Sequence, residues 1–248
     1  MIILKSDREL EYIRDACKVV AKTLLELKQA VEPGVTTKEL DTLAENFILS
    51  QGARPAFKGY QGFPASICTS VNEEVVHGIP GLRRLQDGDI ISIDVGAVIN
   101  GYYGDAAVTL PVGEIDAEIE RLLSVTEEAL MAGIKRAVKD NRLGDVSHAI
   151  QKVVESNGFS VVRDYVGHGI GRNMHEEPQV PNFGLPGRGP RLKAGMTLAI
   201  EPMVNMGTHE VMTKEDNWTV VTKDLQPSAH FEHTIAVTEE GPEILTSL

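Results

Sequence analysis

"SIDVGAVINGYYGDAAVTL", residues 92–110, decides how the chain folds, because it sets Asp94 and Asp105 inside two runs that otherwise read as buried β-strand. An unpaired buried charge costs several kcal/mol, so two of them side by side call for a reason. Asn100-Gly101, flanked by β-branched, aromatic and apolar residues, is the strongest short-range signal for a two-residue hairpin turn. Ile99 then pairs with Tyr102, Asp94 lies opposite Ala107, and Asp105 sits one diagonal step away on the same face. Diagonal neighbours are roughly 7–8 Å apart at Cα, close enough for both carboxylates to converge on a cation between them. Two acids on the wet face of an antiparallel sheet is the alternative reading, and a three-residue loop would put them on opposite faces.

Outward from this hairpin, the pattern is helical. Residues 6–30 open with the capping box Ser6-x-x-Glu9 and carry apolar residues at helical spacing until Pro33-Gly34. A second capping box, Thr36-x-x-Glu39, starts a shorter helix that stops at Gly52. The same grammar recurs after Gly113: a long helical stretch over residues 116–138, a break at Asn141–Gly144, and a helix from Asp145 capped by Asn157-Gly158. Each helix pair precedes segments rich in Val, Ile, Thr and Gly. The chain thus reads as two duplicated ααβ halves of one α+β domain, with an antiparallel-rich sheet covered on one side by helices and a site on its open face.

Composition narrows the function classes. The chain has 248 residues, 42% hydrophobic and 5% aromatic, which suffices for a sizeable core. Its formal charge of −12 argues against sequence-independent binding to nucleic acid or an anionic membrane. Arg83-Arg84 and the cluster from Arg188 to Lys193 leave only local polyanion contact open. The start lacks the apolar core of a signal peptide and no run is long enough to span a membrane, so a cytoplasmic location is expected. Cys17, in a helical pattern, and Cys68, in a strand-like one, form neither a disulfide framework nor a cysteine-based zinc site.

Three further positions sit in unusual company. His168 lies between glycines in "DYVGHGIGRNMHEEP", Glu201 ends an apolar strand in "MTLAIEPMV", and Glu232 falls in another strand, "AHFEHTIAV", with His233 on the opposite face. Together with Asp94 and Asp105 these four carboxylates and one imidazole match the charge of two divalent cations. Such a pair activates water and polarises a carbonyl. Oxygen-rich ligation with one imidazole suits manganese, iron(II) or cobalt, and zinc is compatible. The zincin pattern H-E-x-x-H and the phosphate loop G-x-x-x-x-G-K-[ST] are both absent from the sequence.

These residues resemble the type I methionine aminopeptidases, which share the pita-bread fold with prolidases and creatinases. The resemblance covers essentially the whole chain through "VNEEVVHGIP" (71–80), "DGDIISIDVG" (87–96), "GYYGDAAVT", "GHGIGRNMHEEPQVPNF" (167–183), "IEPMV" and "FEHTIAVT". It implies a single catalytic metallopeptidase domain over residues 1–248 that removes the first methionine from nascent chains. It also implies two divalent metal ions held by Asp94, Asp105, His168, Glu201 and Glu232, with Asp105 and Glu232 bridging. By the same resemblance His77 and His175 contact the substrate peptide and the developing oxyanion, and Glu201 shuttles a proton. Tyr60, Phe63, Cys68 and Trp218 would wall the methionine pocket. Two departures stand out: Met174 where the motif often has phenylalanine, and Tyr103 where it often has histidine.

Two other functions fit less well. Prolidase-like X-Pro cleavage uses the same carboxylates but comes with a domain ahead of the catalytic unit, for which a first helix capped at Ser6 leaves no room. A non-catalytic pita-bread binding module would have lost its ligands, whereas all five positions are filled here. The spacing from His168 to Glu201 has no space for the helical insertion of the type II enzymes. A monomer is expected, with transient ribosome contact left open.

Overall fold

The computed structural model describes residues 1–248. Helices α1 (Asp7–Ala30) and α2 (Thr37–Ser50) lead the chain. Their capping boxes close as the sequence predicts: Ser6 N–H donates to Glu9 Oε2 at 3.0 Å, and Thr36 N–H to Glu39 Oε2 at 2.8 Å. Strands β1 (Arg54–Pro55), β2 (Ile67–Val71), β3 (Glu74–Val76), β4 (Ile90–Ile99) and β5 (Tyr102–Pro111) follow. The β4–β5 register runs unbroken from Ile90 opposite Pro111 to Ile99 opposite Tyr102. Asn100 and Gly101 both have left-handed φ, 53° and 77°, as a type I′ turn requires.

The pleat of β4 assigns its two faces. Ile91, Ile93 and Val95 join Val19, Val20, Leu27, Leu40 and Ile48 of α1 and α2 in one core, so Ser92, Asp94 and Gly96 face away from the helices. α1 approaches β5 closely enough that a Cβ on Gly104 would lie 2.7 Å from the Cys17 backbone nitrogen. Glycine is what permits this approach, and the hairpin is clamped to the helix there.

The second half repeats the plan with α3 (Ala117–Ile134) and α4 (Leu143–Ser156). Strands β6 (Ser160–Val161), β7 (Gly167–Gly169), β8 (Glu176–Val180), β9 (Thr197–Ile200) and β10 (Met203–Asn205) come next. The chain then adds β11 (Val211–Thr213), β12 (Val220–Thr222), β13 (Ser228–His230), β14 (His233–Val237) and β15 (Pro242–Ile244). Leu122, Leu130, Val146, Ile150 and Val154 of the helices pack on Leu198, Ile200, Ile235 and Val237. The α+β plan with antiparallel pairing and two helix-pair cores is therefore as the sequence predicts.

Three local expectations are corrected. The strands form four hydrogen-bonded sheets instead of one: β1 and β2 share an edge of β4 with β5 on its other edge, and the remainder are β13-β10-β6, β11-β12-β3 and β15-β14-β9-β7-β8. Two of these sheets carry an irregularity within a ladder, between His168 and Gly169 where β7 pairs with β8 and between Val220 and Val221 where β12 pairs with β3. α3 ends at Ile134, short of Val138, because the chain tightens into turns in which Arg136 N–H donates to Gly133 O and Ala137 N–H to Ile134 O. α4 starts at Leu143, ahead of Asp145, which accepts from Arg142 N–H at 2.8 Å across the first turn.

Candidate active site

The hairpin face turned away from the helices forms one wall of a cavity of about 350 Å³. Asp94, Asp105, His168, Glu201 and Glu232 line it, with His77, His175, Tyr60, Phe63, Cys68 and Trp218. All eleven residues singled out in the sequence thus converge on one place, along with Phe57, Gln61 and Met174. The acids lie in a recess, not on an open sheet face: Asp105 is 4% exposed and Glu232 2%.

Each acid reaches the recess by a different route. Asp94 and Asp105 project from the hairpin, opposite Ala107 and Gly96, as the register predicts. His168 stands at the β7 bulge, and Glu201 lies one residue beyond the end of β9. Glu232 is not in a strand. It occupies the short gap between β13 and β14, where its N–H donates to Ala107 O at 2.9 Å and ties the gap to the first-half hairpin. Thr234 Oγ1 strengthens the same joint, donating to Asp105 O at 2.7 Å and accepting from Asp105 N–H at 3.2 Å.

Burial dominates the electrostatics. It raises the Asp94 carboxyl to about 7, with Glu201 adding to the effect, and raises Glu201 to about 8. Asp105 and Glu232 are pushed well above the ordinary carboxylate range by burial and by the acids beside them. Burial also lowers the imidazoles, His168 to about 3 and His77 to about 4, so both are neutral at pH 7. His168 Nδ1 lies 2.8 Å from Gly169 O, and a carbonyl only accepts, so the proton sits on Nδ1 and Nε2 keeps its lone pair. That Nε2 is 3.6 Å from Glu201 Oε1 and 3.8 Å from Asp105 Oδ2.

These donors fit divalent cations. Asp94 Oδ1, Asp105 Oδ1 and Glu232 Oε1 are buried without any hydrogen-bond partner. Donor atoms of Asp105, His168 and Glu232 lie within 4.8 Å of one another. Oxygen-rich donors around one imidazole lone pair, otherwise left unsatisfied, suit metal ligation.

Beside the acids the wall becomes apolar. Phe63 and Trp218 meet edge to face at 5.1 Å between ring centroids. Cys68, opposite Asp94 on β2, packs with Phe57, Phe63 and Met174, and both cysteines are free thiols. A Cβ on Gly96 would lie 2.6 Å from Phe57 Cε1 and 3.1 Å from Met174 Cε, so glycine there makes room for this wall. Tyr60 Oη lies 2.7 Å from His175 Nδ1 at the mouth, and His77, held at a left-handed φ of 59°, faces Trp218 and Tyr165 edge on.

The sequence reading omitted Phe57, Gln61 and His230. Phe57 and Gln61 had no local signal, because their place on the cavity wall depends on packing between distant segments. His230, two positions before Glu232, is 1% exposed and its Nε2 lies 3.6 Å from Glu201 Oε2. Its position in the same motif as Glu232 was the signal that could have found it.

Comparison with known proteins agrees with this geometry. Residues 11–239 match Metallopeptidase family M24. The chain is 60% identical over 247 residues to a methionine aminopeptidase of Clostridium acetobutylicum, covering 99% of both sequences. It superposes on a crystal structure of methionine aminopeptidase from Thermotoga maritima with a TM-score of 0.99 at 53% identity, covering 100% of each chain. A prolidase from Pyrococcus furiosus shares the fold at 23% identity and a TM-score of 0.80, with 66% of its length covered. The pita-bread architecture, the buried carboxylates and the full-length identity lead to one conclusion: this chain belongs to metallopeptidase family M24, among its methionine aminopeptidases.

Proposed function

We propose that Asp94, Asp105, His168, Glu201 and Glu232 hold two divalent cations in this cavity, and that residues 1–248 act as one catalytic domain around them. The reaction is removal of the N-terminal methionine, as the full-length identity to methionine aminopeptidases supports. The single observation that carries the metal assignment is the group of buried carboxylate oxygens without partners around the His168 lone pair. When bound, the metals supply an activated water and a Lewis acid for the scissile carbonyl; cobalt, manganese, iron(II) and zinc all suit the donors.

The chain's own side chains do the rest. Phe63, Trp218, Tyr60 and Cys68 receive an unbranched apolar side chain, and the recess between apolar wall and acids seats the free α-amine beside the carboxylates. His77 and His175 are neutral, each with one N–H to offer a peptide carbonyl or the developing oxyanion. Glu201 accepts the proton lost by the attacking water and returns it to the leaving amine. Substrates on this reading are nascent chains in the cytoplasm, met by a monomer in transient contact with ribosomes. No helix is long and apolar enough to cross a membrane.

The test is peptide cleavage by protein stripped with chelator and then supplied with manganese, cobalt, iron(II) or zinc. Methionine released from Met-Ala-Ser, with Ala-Pro left intact, is the expected result. Preference for Ala-Pro would replace this reading with a prolidase, and metal binding without cleavage would replace it with a binding module.

A further inference from the structure

The Glu201 carboxylate lies between two imidazoles. His168 Nε2 is 3.6 Å from Oε1, and His230 Nε2 is 3.6 Å from Oε2. The two rings are not equivalent. His168 donates its Nδ1–H to the Gly169 carbonyl and presents the Nε2 lone pair. His230 Nε2 is fully buried and has no hydrogen-bond partner. A neutral imidazole carries one N–H, and a buried unsatisfied nitrogen facing a carboxylate oxygen is where that proton finds its acceptor.

The backbone of His230 is fixed with unusual care. Its N–H donates to Thr109 Oγ1 at 2.8 Å, and Thr109 Oγ1 donates to His230 O at 2.9 Å. With that hydroxyl proton used, Ser92 Oγ, 2.8 Å away, donates to Thr109 Oγ1. Ser92 and Asp94 share one face of β4, so His230 is pinned to the strand that displays Asp94. His230 also pairs with Met203, two residues past Glu201, and Asn182 Nδ2 donates to Glu201 O at 3.0 Å. Both ends of the gap are therefore fixed, and roughly half an ångström of side-chain adjustment brings Nε2 and Oε2 to hydrogen-bond distance.

We propose that His230 is a positioning residue: its Nε2–H holds Oε2 of Glu201, fixing the carboxylate's rotation so that Oε1 faces the ligand cluster beside His168. This rests on the reading of Glu201 as a metal ligand. Oriented in this way, Glu201 meets the metal without a rotational search, as outer partners do for other ligands.

The experiment compares His230→Leu, His230→Gln and Glu201→Gln with the unaltered chain. Manganese binding to chelator-stripped protein is followed by calorimetry, the cobalt form by its visible absorption, and Met-Ala-Ser cleavage by kcat and KM. A glutamine amide reaches about as far as imidazole Nε2 and retains an N–H. We expect His230→Leu to weaken manganese binding about 10- to 100-fold and to shift the cobalt spectrum. Its kcat falls while KM stays within about twofold, and His230→Gln recovers most of each loss. The inference is overturned if His230→Leu binds manganese as tightly as the unaltered chain, or if His230→Gln is as impaired as His230→Leu while both melt at the normal temperature. Glu201→Gln separates the two failures: full manganese affinity in that variant removes the ligand reading itself. Loss of affinity there but not in His230→Leu removes only the positioning role.

Discussion

The first half of the molecule displays its acids from the middle of an unbroken β4–β5 ladder, whereas the second half delivers its acids from places where strands stop. Asp94 and Asp105 sit among paired residues on one hairpin face. Glu201 follows the last residue of β9 and Glu232 precedes the first of β14, just past the terminal pair Ile200 and His233. His168 occupies a bulge. One recess is built from both. A rigid ladder clamped on α1 suits short aspartate side chains, while glutamates and an imidazole reach in from interrupted strands. The hairpin supplies the fixed floor and the second half closes over it.

Removal of a floor carboxylate has the largest expected effect. Asp94→Ala is expected to lower Met-Ala-Ser turnover by more than about 100-fold, beyond what loss of an outer ligand partner costs, with circular dichroism unchanged. Near-normal turnover would show that the hairpin is not the floor.

A second test concerns charge across both halves. Burial lifts Asp94 from its ordinary 3.8 to about 7 and Glu201 from 4.5 to about 8, so the folded, metal-free chain binds more protons than the unfolded one between these limits. Their contribution to stability is therefore present below about pH 4 and is lost as pH rises through about 8. Urea midpoints of stripped protein should fall from pH 5 to pH 8, and added manganese should restore the pH 8 value. A midpoint indifferent to both would contradict the crowding of buried carboxylates.

The joint between the halves contributes a smaller effect. Thr234→Val removes both hydrogen bonds to the Asp105 backbone and is expected to cost about 1–3 kcal/mol in urea unfolding, with Thr234→Ser restoring most of it. An unchanged midpoint would mean that Glu232 N–H on Ala107 O suffices to hold the joint.

What the sequence made legible was local. Asn100-Gly101 announced its turn because both positions need left-handed φ, and that turn fixed the faces of Asp94 and Asp105. The capping boxes of α1 and α2 lay within four residues and could be read directly. Asp145 misled because a first-turn acid accepts the same kind of backbone hydrogen bond as a capping residue. Division into four sheets, the gap at Glu232 and the place of His230 depend on pairings between segments far apart in the chain, which leave no periodic trace. His168, Glu201 and Glu232 stood out by the glycines and apolar runs around them, whereas the roles proposed for His77 and His175 came only through the motifs of a known family.

The depth of the recess carries a consequence for timing. Asp105 and Glu232 are almost inaccessible from outside, so a chain end must reach into the recess, past Tyr60 and His175, to come near them. A substrate whose first residues have already packed into its own core or joined a sheet cannot present them at that depth. Methionine removal by such a recess therefore favours a chain end that has not yet folded.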